Sequence, residues 1–208
     1  MISISLELVD SLRDLSAESF HQHLAPQGAG WIEVIVGSMF SGKTEELLRR
    51  IRRSMIAKQP TILVKPKMDT RYAETFVVSH NQMKLPSLPV EDPREILELA
   101  KDAWVVGIDE AQFFPPSIVE VCEELASSGK RVIVAGLDTD YRGLPFEPMP
   151  ALMATAEYIT KHLAICAQCG RPAHRNQRMI SGDGQVLLGA QEAYEARCRQ
   201  CFQKPSSL

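Results

Sequence analysis

Residues 37 to 44 read Gly37-Ser38-Met39-Phe40-Ser41-Gly42-Lys43-Thr44, an uninterrupted G-x-x-x-x-G-K-T. The apolar run Ile32 to Val36 precedes it, and a stretch with Leu47, Leu48, Ile51 and Met55 at helical spacing follows it. That order predicts a buried strand, a phosphate-binding loop and a helix from Thr44 to about Lys58. The glycines let backbone N–H groups curl around an anion, and the helix N-terminus adds a positive partial charge. Lys43 is placed to meet the outer phosphates of a nucleotide and Thr44 to put its hydroxyl on Mg²⁺. A chain built this way needs further parallel strands to flank the loop.

The sequence supplies them. Thr61 to Val64, Trp104 to Ile108 and Arg131 to Ala135 are short apolar runs separated by helical patterns from Asp92 to Lys101 and from Pro116 to Ser128. Asp92 suits the N-cap and Pro93 the first helical position. Strands and helices in alternation specify an α/β fold, a parallel sheet with helices on both faces. Residues 1–30 form an N-terminal extension with a weak helical pattern (Leu8, Leu12, Leu15), residues 31–160 the nucleotide-binding unit, 161–204 a cysteine-bearing unit and 205–208 a tail.

The strand Trp104 to Ile108 ends in Asp109-Glu110. An acid at that end, beside a phosphate loop, normally assists Mg²⁺, and Asp109 takes this part. Glu110 is then the candidate to orient or deprotonate a nucleophile attacking the terminal phosphate. Arg49, Arg50, Arg52 and Arg53 form a basic run, and with Glu45 and Glu46 four residues before Arg49 and Arg50 it reads as a solvated, salt-bridged helix face.

Cys166 and Cys169, then Cys198 and Cys201, form two C-x-x-C pairs, the spacing of a closed tetrahedral zinc site with a structural role. Cys122 shares a helix face with Ile118, Val121 and Leu125 and reads as a core thiol. The N-terminus has no basic start and no apolar core of a secretory signal, so the expected location is cytoplasmic. No run approaches the ~20 apolar residues of a membrane span, and 23 basic against 26 acidic residues argue against a protein that coats nucleic acid. Neither a membrane nor a nucleic acid is therefore an expected partner.

Taken together, these segments resemble the small, zinc-containing thymidine kinases. The resemblance rests on the phosphate loop, Asp69-Thr70-Arg71-Tyr72, Asp109-Glu110-Ala111-Gln112-Phe113-Phe114, Ala135-Gly136-Leu137-Asp138 with Pro145-Phe146, and the cysteine pairs with Tyr194 between them. It implies a phosphate-loop NTPase-like kinase domain followed by a zinc domain whose loop, the lasso, closes over the nucleoside. The implied reaction is transfer of the γ-phosphoryl group of ATP to the 5′-hydroxyl of thymidine. Glu110 would be the catalytic base, assisted by Lys43 and by Arg71. Met39, Asp69, Arg71, Glu110, Phe113, Leu137, Tyr141, Phe146, Asn176, Leu187, Leu188, Gly189 and Tyr194 would contact the nucleoside, the lasso running from about Gln185 to Tyr194. The family also implies a homotetramer inhibited by thymidine triphosphate. The chain departs from the family at Asn176, where a threonine is common, and at Gln185 and Ala190 in the lasso.

Other readings fit less well. A nucleic-acid-stimulated ATPase shares Asp109-Glu110-Ala111-Gln112, but the chain has room for one ATPase lobe and the Cys169–Cys198 loop lacks an aromatic-basic stripe. A GTPase needs an N-K-x-D motif that is absent, and a binding module with a vestigial site would not need Lys43, Thr44, Asp109 and Glu110 intact.

Overall fold

The computed structural model describes residues 29–68, 76–78, 84–180 and 193–204. Among these, six parallel strands form one sheet: β1 (Trp31–Gly37), β2 (Thr61–Pro66), β5 (Leu88–Val90), β6 (Val105–Ile108), β7 (Arg131–Gly136) and β8 (Tyr158–His162), in the order β5-β2-β6-β7-β1-β8. A short hairpin, β3 (Phe76–Val78) with β4 (Lys84–Pro86), lies between β2 and β5 in sequence. The expected α/β architecture is therefore present. The described helices include none long and apolar enough to cross a membrane.

Alternating side chains of the central strands feed two cores. On one face Ile32, Val34 and Val36 of β1 meet Val106, Ile108, Val132 and Val134 under α2 (Glu95–Leu99), α3 (Ile118–Ser127) and α4 (Met149–Thr155). On the other, Ile35, Ile133 and Ala135 meet Leu47, Leu48 and Ile51 of α1 (Lys43–Ile56). Cys122 is fully buried in the first core, and that burial, with Glu123 nearby, pushes its thiol up to about 12.

Helix boundaries follow local chemistry. α1 ends two residues before the expected Lys58, because Lys58 adopts a left-handed backbone (φ 56°) and the Lys58 and Gln59 N–H groups bond back to Met55 and Ser54. The regular part of α2 is shorter than expected and its N-cap is Arg94 and not Asp92; Asp92 braces the turn before it, its carboxylate accepting the Arg94 N–H while Glu95 accepts the Asp92 N–H. The edge strand β8 escapes a search for apolar runs because Tyr-Ile-Thr-Lys-His alternates half-buried with exposed residues.

One expectation fails. Arg50 is not on a solvated face; it is buried and bonds Glu33 at 2.7 Å, Glu46 at 2.8 Å and the Thr160 hydroxyl. Arg131 reaches the same Glu33 at 2.6 Å. Glu33 lies on the α1 side of β1, and only the fold brings that acid beneath the helix. Burial pushes the Glu33 carboxyl up, but Arg131 and Trp31 as donors and the Arg131 and Arg50 charges outweigh it and hold the group below its usual 4.5. Glu46, also raised by burial, is brought down to about 2 by Arg49 and Arg50. A depressed folded-state value means stabilisation present above about pH 4.5 and lost as acid protonates the folded carboxyl. Glu33→Gln therefore unfolds at lower urea than the parent near neutrality, and the gap between them narrows as pH falls below about 4.5. A gap that stays constant with pH would contradict this.

Candidate active site

The carboxyl ends of β1, β6 and β7 open on one edge of the sheet, where α/β folds place ligands. From β1 the chain turns through Gly37 (φ 152°), Phe40 (φ 63°) and Gly42 (φ 85°) before α1 starts at Lys43. A Cβ on Gly37 would lie 2.3 Å from the His162 carbonyl oxygen, which is backbone and does not yield. Gly37→Ala is accordingly expected to weaken Mg-ATP binding by tenfold or more, measured by calorimetry, with wild-type affinity the opposing result.

Within the loop, Lys43 Nζ bonds the Ser38 carbonyl at 2.8 Å. Ser41 Oγ is buried and has no hydrogen-bond partner among the described residues. A buried hydroxyl of this kind suits a phosphate oxygen. The Thr44 hydroxyl is 3.3 Å from the buried Asp109 carboxylate, so the two groups fit a shared Mg²⁺.

Next to Asp109 the backbone does something residue type alone does not announce. Glu110 is left-handed (φ 52°, ψ 40°), which costs a non-glycine residue ~1–3 kcal/mol. The twist reverses the chain between β6 and the 3₁₀ turn Ala111–Phe113. Buried Gln112 holds the result: its Nε2 donates to Glu110 and its Oε1 accepts the Leu137 N–H at 3.0 Å, joining the end of β6 to the exit of β7. Sequence reading gave Gln112 no role of its own; its signal was membership of the Asp-Glu-Ala-Gln run.

Two aromatic groups join residues that follow β6 and β7 in the chain. Phe113 and Phe146 meet edge to face at 6.2 Å. Tyr141 and Tyr194 flank Arg178, whose guanidinium lies 3.6 Å from the Tyr141 ring centroid and donates to the Tyr194 hydroxyl at 3.0 Å. Arg178 went unnoticed in the sequence, where nothing marks it, and so did His162, whose Nδ1 is 3.2 Å from the Ser41 carbonyl. Asn176 bonds the Met39 N–H and the Thr139 carbonyl. Asp69, Arg71, Leu187, Leu188 and Gly189, with nearly all of the expected lasso, lie outside the described residues.

The four cysteines converge. β9 (Ala164–Ile165) pairs with β10 (Pro172–Ala173), and β11 (Arg175–Arg178) with β12 (Tyr194–Arg197). The Sγ atoms of Cys166, Cys169, Cys198 and Cys201 all lie within 4.8 Å of one another. A tetrahedral zinc with ~2.3 Å bonds sets its sulfurs about 3.8 Å apart, so this donor set fits that ion with no ligand position left open.

The sequence matches the family described as thymidine kinase over residues 30–202. It is 61% identical over 176 residues to a thymidine kinase of Rhodothermus sp. (strain ITI 518), covering 85% of this chain and 83% of that protein. It is 56% identical over 174 residues to a thymidine kinase of Bdellovibrio bacteriovorus, covering 83% and 85% respectively.

Proposed function

The chain belongs to the thymidine kinase family, and from that membership we propose how its residues move a phosphoryl group from ATP to the 5′-hydroxyl of thymidine, giving thymidine monophosphate and ADP in nucleoside salvage. The observation that carries the proposal is the pairing of Thr44 with Asp109 at the mouth of the phosphate loop, with Glu110 next in the chain.

Phosphoryl transfer is mainly positioning and charge stabilisation. Residues 37–44 hold the phosphates through backbone N–H groups, the Ser41 hydroxyl and Lys43, which swings from the Ser38 carbonyl onto the outer phosphates. Thr44 and Asp109 hold Mg²⁺, which neutralises developing charge on the phosphates when bound. Glu110 accepts the proton of the 5′-hydroxyl as the new P–O bond forms and the bond to ADP breaks. Arg71 is assigned to charge stabilisation and Asp69 to the sugar, on the family resemblance. Met39, Phe113, Leu137, Tyr141, Phe146 and Tyr194 enclose the nucleoside, and the family resemblance assigns Leu187, Leu188 and Gly189 to its base. Such a site penalises bases that leave its polar groups unpaired.

Residues 31–160 form the kinase unit and 161–204 the zinc and lasso unit, with the four cysteines holding structural zinc. A homotetrameric, cytoplasmic enzyme inhibited by thymidine triphosphate completes the reading, supported by the resemblance. The test is a panel of the four deoxynucleosides with Mg-ATP. Monophosphate formed preferentially from thymidine supports the proposal, and ATP hydrolysis stimulated only by single-stranded nucleic acid refutes it.

A further inference from the structure

The resemblance places Asn176 beside the nucleobase, but in the structure its amide is committed elsewhere. Oδ1 accepts the Met39 N–H at 2.7 Å, and Nδ2 donates to the Thr139 carbonyl at 2.8 Å. The residue is 2% exposed. The two contacts fix the orientation of the amide, since flipping it would set N–H against N–H and oxygen against oxygen.

The partners are informative. Met39 is inside the phosphate loop and precedes Phe40, whose φ of 63° needs support. Thr139 lies in the segment that leaves β7 and carries Leu137, Tyr141 and Phe146. Asn176 itself is on β11, opposite Ala196 of β12, two residues from Tyr194. One amide therefore ties together the phosphate loop, the aromatic segment and the strand pair next to the cysteine cluster. Neighbours press on the same loop: the Ser38 hydroxyl faces the Ala173 carbonyl at 3.4 Å, and His162 faces Gly37 and Ser41.

We propose that Asn176 is a positioning residue, setting the phosphate loop against the nucleoside wall through main-chain hydrogen bonds at both ends of its amide, and that it does not read the base. This rests on the proposed site and deepens it. A loop deprived of the brace leaves a part-buried N–H and a part-buried carbonyl without that partner and relaxes to satisfy them.

The test compares the full chain with Asn176→Ala and with Asn176→Thr, whose short side chain reaches at most one of the two main-chain groups and which serves if the alanine variant fails to fold. Three quantities are read: the Mg-ADP dissociation constant without nucleoside, the ratio of kcat/KM for thymidine to that for deoxycytidine, and Tm. The positioning role predicts Mg-ADP binding weakened about tenfold with the nucleoside ratio held within about twofold. A collapsed ratio with unchanged Mg-ADP binding would make Asn176 a base reader and overturn the proposal. A lower Tm with both other quantities unchanged would overturn it as well, leaving Asn176 a purely structural residue. If the unmodified chain phosphorylated no nucleoside, the proposed function would fall, while the Mg-ADP measurement would still decide the role of Asn176.

Discussion

Glu110→Gln lowers kcat for thymidine phosphorylation by about 10²–10⁴ and leaves the Mg-ATP dissociation constant within about twofold of the parent value. The substitution is nearly isosteric, and a glutamine carbonyl still accepts the hydrogen bond that Gln112 donates to Glu110. The left-handed turn and the tie to Leu137 persist, so the change removes basicity and little else. ATP binding rests on the phosphate loop and on the Thr44–Asp109 pair, whose own side chains the substitution leaves unaltered. The decisive comparison is therefore kcat against nucleotide affinity. A parallel loss of both would show that Glu110 supports the loop, and an unchanged kcat would remove it from the chemistry.

Removing the proposed zinc is expected to have a wider effect. Structural zinc contributes ~10–16 kcal/mol to small cysteine-ligated modules at neutral pH, and the short strands β9 to β12 have little apolar core of their own: it is Ala164, Ala173 and Ala196 with Cys166, Cys198 and Cys201. Chelation, or Cys198→Ser, is expected to speed amide hydrogen exchange across 164–178 and 194–198 to near-unfolded rates. The damage should not stop there. Ala173 and Asn176 belong to this unit and touch Ser38 and Met39 of the phosphate loop, so activity falls at least tenfold with it. Metal-free protein with intact protection and full turnover would contradict both expectations.

How much of this the sequence revealed depended on whether the signal was local. The phosphate loop, Asp109 and the cysteine pairs are contiguous motifs whose residue types are dictated by one ligand each, and they can be read without a fold. The buried strands announced themselves through unbroken apolar runs. What escaped was set by distant partners. Arg50 matched an i,i+4 surface pair with Glu46, and only the fold supplies Glu33 and Thr160 to bury it. The left-handed backbone of Glu110 has no signature in residue type, because glutamate rarely adopts it and is held there by Gln112 and the strand exit. Asn176 reaches Met39 across 137 positions of sequence, a link no motif records. The strained and cross-linked positions are thus the ones that local patterns miss, and they gather at the site.

The most direct check on the central claim, that this edge of the sheet delivers phosphorus to a sugar alcohol in preference to water, is the amount of ADP formed per thymidine monophosphate. Glu110 has a hydroxyl to deprotonate only when the nucleoside is present, so the account predicts one ADP for each thymidine monophosphate and almost no ADP without thymidine. ADP released equally fast whether or not thymidine is added would contradict it.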